Sequence, residues 1–182
     1  MNILLISPDA VRKPDFPPLG LLSIGTVLKK EGHQVKVVDA AAQSLTNEAI
    51  IQLAKRFKPD LCGITTYIVN EKLCFQIARD LKKHFDCPVI FGGPHSSCFP
   101  REIIEKEKSA DGIVIMEGEA TILNLCDVLD QRSSWKKVHG MIFRDSDGKI
   151  IVNPPQNPIS NLDDLPIPDR SLIDLNFYNP IP

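Results

Sequence analysis

The chain has 182 residues, 43% of them hydrophobic and 24% charged, with a net charge of −2, which suffices for one domain with an appendage and falls short of two full domains. That charge balance gives no electrostatic case for a nucleic-acid partner or an anionic membrane. No signal-peptide pattern opens the chain and no apolar run approaches the ~20 residues that span a bilayer, so a soluble, cytoplasmic protein is expected.

Asn2 to Ser7 carries four consecutive aliphatics, the pattern of a parallel strand covered on both faces, and ends in the loop Ser7-Pro8-Asp9. Pro18 stands where a helix starts, with Leu19, Leu22, Thr26 and Val27 recurring on one face as far as Glu31-Gly32. Gln34 to Val38 form a second strand that runs into Asp39-Ala40. Thr46 is placed to cap a helix whose stripe is Ile50, Leu53, Ala54 and Phe57, stopped by Pro59.

Leu61 to Ile64 give a third strand ending in Thr65-Thr66-Tyr67. Asn70 is read as the cap of a helix that buries Cys74, Ile77, Ala78 and Leu81. Pro88 to Phe91 form the fourth strand, which runs into Gly92-Gly93-Pro94-His95-Ser96-Ser97. A shorter helix over 100–107 and a fifth strand from Gly112 to Ile115 follow, then Met116-Glu117-Gly118-Glu119 and a helix burying Ile122, Leu125, Cys126 and Leu129.

Five strands alternating with helices predict an α/β, Rossmann-like (flavodoxin-like) parallel sheet in the order 2-1-3-4-5 over residues 1–131. Gly140 to Phe143 and Lys149 to Val152 flank Asp145-Ser146-Asp147-Gly148, the turn sequence of a C-terminal β-hairpin, within an extension spanning 132–152. The proline-rich stretch 153–182 is expected to be an extended arm or linker.

In such a sheet the crevice outside the carboxyl ends of the strands is the ligand site, which groups the loops at Asp9, Asp39, Thr65, Gly92 and Glu117. The first loop lacks the GxGxxG of a dinucleotide site and the Ser/Thr/Gly content of a flavin-phosphate site, and Thr65 and Thr66 stand where a phosphoacceptor receiver has aspartate. The four histidines are isolated from one another, which argues against a dedicated zinc site. His95 is read either as a loop hydrogen-bonding residue or as a ligand contact. Glu119 is read as a helix starter facing the positive dipole end, and Glu117 as an acceptor for a ligand hydroxyl or amide. The five cysteines are scattered, so buried, reduced thiols are expected, and Cys98 in a site loop is read as packing.

The series PPLGLLSIGTVLKKEGHQVKVVDA (17–40), GITTY (63–67), FGGPHSS (91–97), DGIVIMEGEAT (111–121), GMIFRDSDGKIIV (140–152) and DDLPIPDRSLIDL (163–175) resembles the N-terminal cobalamin-binding domain of the cobalamin-dependent radical SAM enzymes. The resemblance implies a corrinoid on the carboxyl edge with its nucleotide tail entering the sheet. Thr65, Thr66, Tyr67, Gly92 and Gly93 would line the tail pocket, and Pro94, His95, Glu117, Gly118, Glu119 and Thr121 would border the corrin. Leu19, Gly20, Asp39 and Ser96 complete the implied cofactor-binding set.

The DxHxxG motif that supplies a histidine to cobalt is absent, so the lower axial position is expected to be empty, water-filled or blocked by a side chain. The CxxxCxxC motif of the iron–sulfur cluster is absent too. The chain is therefore expected to be a piece of a longer enzyme, with a methyltransferase as one reading, whose radical SAM domain, 4Fe-4S cluster and S-adenosylmethionine lie outside it. MNILLISPDA and KKEGHQVKVVD also resemble the opening of nucleotide-sugar glycosyltransferases, a likeness that stops near residue 40. A non-catalytic interaction module that docks through its proline-rich arm is the third reading.

Overall fold

The computed structural model describes residues 1–8 and 15–178. Its parallel strands are β1 (Asn2–Ser7), β2 (Gln34–Asp39), β3 (Leu61–Thr65), β4 (Val89–Gly92) and β5 (Gly112–Val114). They lie in the expected order 2-1-3-4-5. The hairpin strands β6 (Met141–Arg144) and β7 (Ile150–Val152) do more than append to this domain. β6 pairs antiparallel with β5 and β7 antiparallel with β6, making one seven-stranded sheet. The hairpin turn closes through Gly148 at φ +77° and a bond from its N–H to the Asp145 carbonyl.

Buried strand residues alternate between two cores, as a sheet covered on both faces requires. On one face α3 (Asn47–Phe57), α4 (Glu71–His84) and α6 (Pro100–Lys106) pack against Leu4, Ile6, Ile64 and Phe91. On the other, α1 (Leu19–Lys30) and α7 (Glu119–Asp130) cover Ile3, Leu5, Leu61 and Ile90. Two short helices were not anticipated. One is α2 (Ala40–Gln43), capped by the Asp39 carboxylate, which accepts from the Ala42 amide. The other is α5 (Pro94–Cys98), which begins directly behind Gly93 with Pro94 in its first turn.

Thr46 caps α3 as expected, accepting from the Ala49 amide. Asn70 does not cap α4 with its side chain. Its carboxamide oxygen turns back to accept from the Tyr67 amide and the Cys74 thiol, so it braces the loop after β3. Leu19 leaves the apolar stripe of α1 and is 58% exposed, because the buried face of that helix runs through Leu21, Leu22 and Leu28.

The arm beyond β7 folds back along the domain. The Asp169 amide donates to Thr26 Oγ1 and the Asp169 carboxylate meets Lys29 Nζ at 2.7 Å. That lysine, with the Ser171 hydrogen bonds, holds the Asp169 carboxyl down at about 2. Leu172 lies against α1, where a Cβ on Gly25 would come within 2.8 Å of its Cδ1.

The extension over 132–152 places Val138, Met141, Ile142 and Phe143 in the core, each 4% exposed or less. Burying each large side chain is worth roughly 1.5–3 kcal/mol, so together they rival the total stability of about 5–15 kcal/mol of an ordinary domain. A chain ending at Gln131 is therefore expected to lose its cooperative urea transition followed by circular dichroism. A sharp transition retained by that truncation would make 1–131 an independent unit.

Candidate functional site

The site is built at the junction of β3 and β4. The Thr66 amide donates to the Gly92 carbonyl at 2.8 Å and the Thr66 hydroxyl donates to the same oxygen at 2.9 Å. In return the Thr66 carbonyl accepts from the His95 amide, and Thr66 Oγ1 accepts from the Ser96 amide while sharing a hydrogen bond with the Ser96 hydroxyl. Gly93 makes this knot possible. It has φ +91°, and a Cβ there would stand 2.6 Å from Thr65 Oγ1 and 3.0 Å from the Thr66 backbone nitrogen and oxygen.

Above the knot lies a cavity of about 450 Å³, between the carboxyl ends of β1, β3, β4 and β5 and the first turns of α1 and α7. Its walls are the side chains of Leu5, Ile90, Val114, Leu21, Ile24 and Ile122. Gly63, in the middle of β3, borders the cavity and is only half-buried. At Gly92 a Cβ would find nothing nearer than the Val114 carbonyl oxygen at 4.0 Å, so the absence of a side chain there leaves the floor open.

Of the site residues expected from sequence, the cavity brings together Gly20, Thr65, Tyr67, Gly92, Gly93, Pro94, Glu117, Gly118 and Glu119. Thr66 and Ser96 lie beneath it, fully buried and bonded to each other. Thr121 is also buried and donates to the His139 carbonyl, fastening α7 to the start of the hairpin. Asp39 is 2% exposed and away from the cavity. Its second carboxylate oxygen accepts from the Tyr178 hydroxyl at 2.8 Å, and burial with that bond pushes the phenol up. Asp9 lies outside the described residues.

His95 sits at the edge of the site and faces away from the cavity. Its ring packs on Phe99, and Nε2 is 4.0 Å from Glu71 Oε1 with no hydrogen-bond partner. Leu19 projects outward from the end of α1. Sequence reasoning missed the apolar walls. Period-two alternation along β1, β3 and β4 places Leu5, Gly63 and Ile90 on one face, which was the available signal.

The rim carboxylates are engaged inside the protein. Glu119 Oε1 accepts from the Ser23 hydroxyl at 2.7 Å, and Glu117 Oε2 accepts from the Ile159 amide of the arm at 2.7 Å. Met116, 79% exposed, adopts φ +64° with its amide bonded to Ser97 Oγ. None of the four histidines lines the cavity, and no cluster of three or more metal-ligating side chains occurs among the described residues. The cysteines are free thiols, with Cys98 exposed and the others buried. Burial pushes the Cys74 and Cys126 thiols up to about 12, which makes them inert.

A family model described as "B12 binding domain" matches residues 9–125. An uncharacterized methyltransferase of Pyrococcus horikoshii is 31% identical across 98% of this chain and 40% of its own length. The anaerobic magnesium-protoporphyrin IX monomethyl ester cyclase of Synechocystis is 31% identical across 98% of this chain and 37% of its own. The chain thus spans well under half the length of these relatives. Among solved structures, the cobalamin-dependent S-adenosylmethionine radical enzyme OxsB, with aqua-cobalamin and S-adenosylmethionine bound, superposes with a TM-score of 0.80. That match covers 91% of this chain and 24% of OxsB at 21% identity, and it establishes likeness of fold.

The geometry separates the adjacent glycines. Gly93→Ala forces a Cβ into the Thr65–Thr66 backbone at a left-handed φ and is expected to cost about 1–3 kcal/mol. Gly92→Ala enters open space and is expected to stay within about 1 kcal/mol of the parent. Urea denaturation of both variants checks the order, and equal losses would remove the assigned role of Gly93.

Proposed function

The chain belongs to the B12-binding domain family, and from that premise we propose that its cavity takes the nucleotide tail of a corrinoid while the ring lies over the carboxyl edge of the sheet. The observation that carries this placement is the open floor at Gly92, a slot for a flat, largely apolar group with Thr65 as its buried polar side chain among the described residues. When bound, a corrinoid supplies a cobalt centre able to carry a methyl group. The chain's own residues receive the tail at Gly92 and Thr65, exclude water with Leu5, Ile90 and Ile122, and leave Tyr67, Pro94 and Met116 at the mouth to meet the ring. A tail received in this cavity would be drawn away from the cobalt, and no histidine lines the cavity to take its place.

The same proposal makes the chain a module of a longer cytoplasmic enzyme. Its partner is a radical SAM domain of the same polypeptide, with a 4Fe-4S cluster and S-adenosylmethionine, and methyl transfer is the favoured chemistry. The relatives named a methyltransferase and a cobalamin-dependent radical enzyme support that reading. The cyclase among them leaves ring-forming radical chemistry as a second reading. The glycosyltransferase likeness ends near residue 40, whereas the family match continues to residue 125. No helix among the described residues is long and apolar enough to cross a membrane.

The test is an absorbance titration of the protein with hydroxocobalamin and methylcobalamin, followed by desalting. Retention of colour with a base-off spectrum is expected for the parent. Gly92→Leu, which drives a side chain into the cavity without touching the Gly93 turn, is expected to lose retention and keep its circular dichroism. Gly93→Leu is a poor probe, because its Cβ meets backbone before it reaches the cavity. Unchanged retention by a folded Gly92→Leu would remove the placement of the tail.

A further inference from the structure

The polarity of the cavity wall discriminates between corrinoids that differ in their tail base, and we infer that the site selects benzimidazole-type or phenol-type tails over purine tails. The inference rests on the corrinoid reading and goes further by naming which members of the class the site accepts. Among the described buried residues lining the cavity, Thr65 is the only one with a polar side chain, and it lies at the Gly93 end. The other described buried side chains of the wall are apolar, from Leu5 and Ile90 on the sheet to Leu21 and Ile122 on the helices. Tyr67, Glu117 and Glu119 stand outside the buried part of the wall, and one oxygen of each glutamate is bonded within the protein, to the Ile159 amide and the Ser23 hydroxyl.

A benzimidazole joined to its ribose through one nitrogen keeps a single free ring nitrogen, for which one hydroxyl is a sufficient partner. A phenol-type base has no ring nitrogen to satisfy. An adenine linked in the same way keeps several ring acceptors and an exocyclic amine, and an aliphatic wall leaves most of them unpaired after they lose water. An apolar site rejects a ligand bearing extra polar groups by a limited factor, of order a hundredfold at most. The purine disadvantage is therefore expected to be about tenfold to a hundredfold in Kd.

The experiment titrates the protein with four corrinoids, namely cobalamin, an adenine-tailed cobamide, a phenol-tailed cobamide and tailless cobinamide, reading absorbance and retention after desalting. Cobalamin and the phenol-tailed cobamide are expected to bind within a few fold of each other, the adenine-tailed form about tenfold to a hundredfold more weakly, and cobinamide more weakly than cobalamin. Equal affinity for the adenine-tailed form and cobalamin overturns the selection and leaves corrinoid binding standing. Cobinamide binding as well as cobalamin overturns it too, since the tail is then not in the cavity. Failure of all four to bind overturns both readings. Val114→Thr places a hydroxyl in the wall at nearly constant volume and is expected to narrow the adenine disadvantage several-fold. An unchanged ratio in a folded Val114→Thr protein overturns the role given to the aliphatic wall.

Discussion

The hydrogen bond from the Thr66 amide to the Gly92 carbonyl extends the pairing of β3 and β4 one step beyond the strands, and the site is arranged around it. Parallel strands end in loops that must diverge, because each chain leaves the sheet for its own helix. Here two of those loops are tied together before they part. Thr66 joins Gly92, His95 and Ser96, and the left-handed turn at Gly93 brings the start of α5 against β3. Every polar atom of the Thr66 backbone and side chain thereby has a partner in the interior, where leaving one unpaired costs about 1–3 kcal/mol. The floor of the cavity beside Gly92 is consequently backbone held by hydrogen bonds, with nothing nearer than 4.0 Å to where a Gly92 side chain would begin.

A second constraint comes from the arm. Its contacts reach across the sequence to elements formed much earlier, with Ile159 bonded to Glu117, Asp169 to Thr26 and Lys29, and Tyr178 to Asp39. Glu117 stands on the cavity wall and Asp39 at the end of β2, so two of these fastenings lie on the carboxyl edge itself. Individually such bonds are modest, about 0.5–1.5 kcal/mol each. Together they define a path for a stretch whose prolines already restrict the unfolded ensemble. The stretch whose prolines suggested an extended arm or linker lies as a strap over α1.

The strand order was legible because aliphatic runs and their terminal turns recur along the chain, and a sheet of that pattern admits few topologies. The carboxyl-edge loops followed from the same logic, and so did the importance of Gly92 and Gly93. Side-chain destinations set by contacts distant in sequence were not legible. Nothing near Asp39 announces Tyr178 as its partner, and nothing near Glu117 announces the Ile159 amide. His95 illustrates a different limit. Its position beside Gly93 is local, yet which way the ring turns depends on Phe99 and Glu71, and those sit there because α5 is a helix of a single short turn and not a loop.

The missed apolar walls carry the more general point about how such a site recognises its ligand. Attention in sequence falls on the residues with chemistry, here Glu117, Glu119, His95 and Asp39. Folding engages both glutamates and Asp39 in internal bonds and turns His95 away from the cavity, against Phe99 and Glu71. Recognition is thereby left to shape and to the aliphatic surface of strands whose opposite face is ordinary core. A flat tail would gain from removing apolar area from water, at about 25 cal/mol per Å², and Gly92 would leave it room at the floor. Under the proposed reading, the residues that look inert in the sequence would set both affinity and choice of tail, while the ionisable ones hold the arm, the capping turn and α1 in place around them.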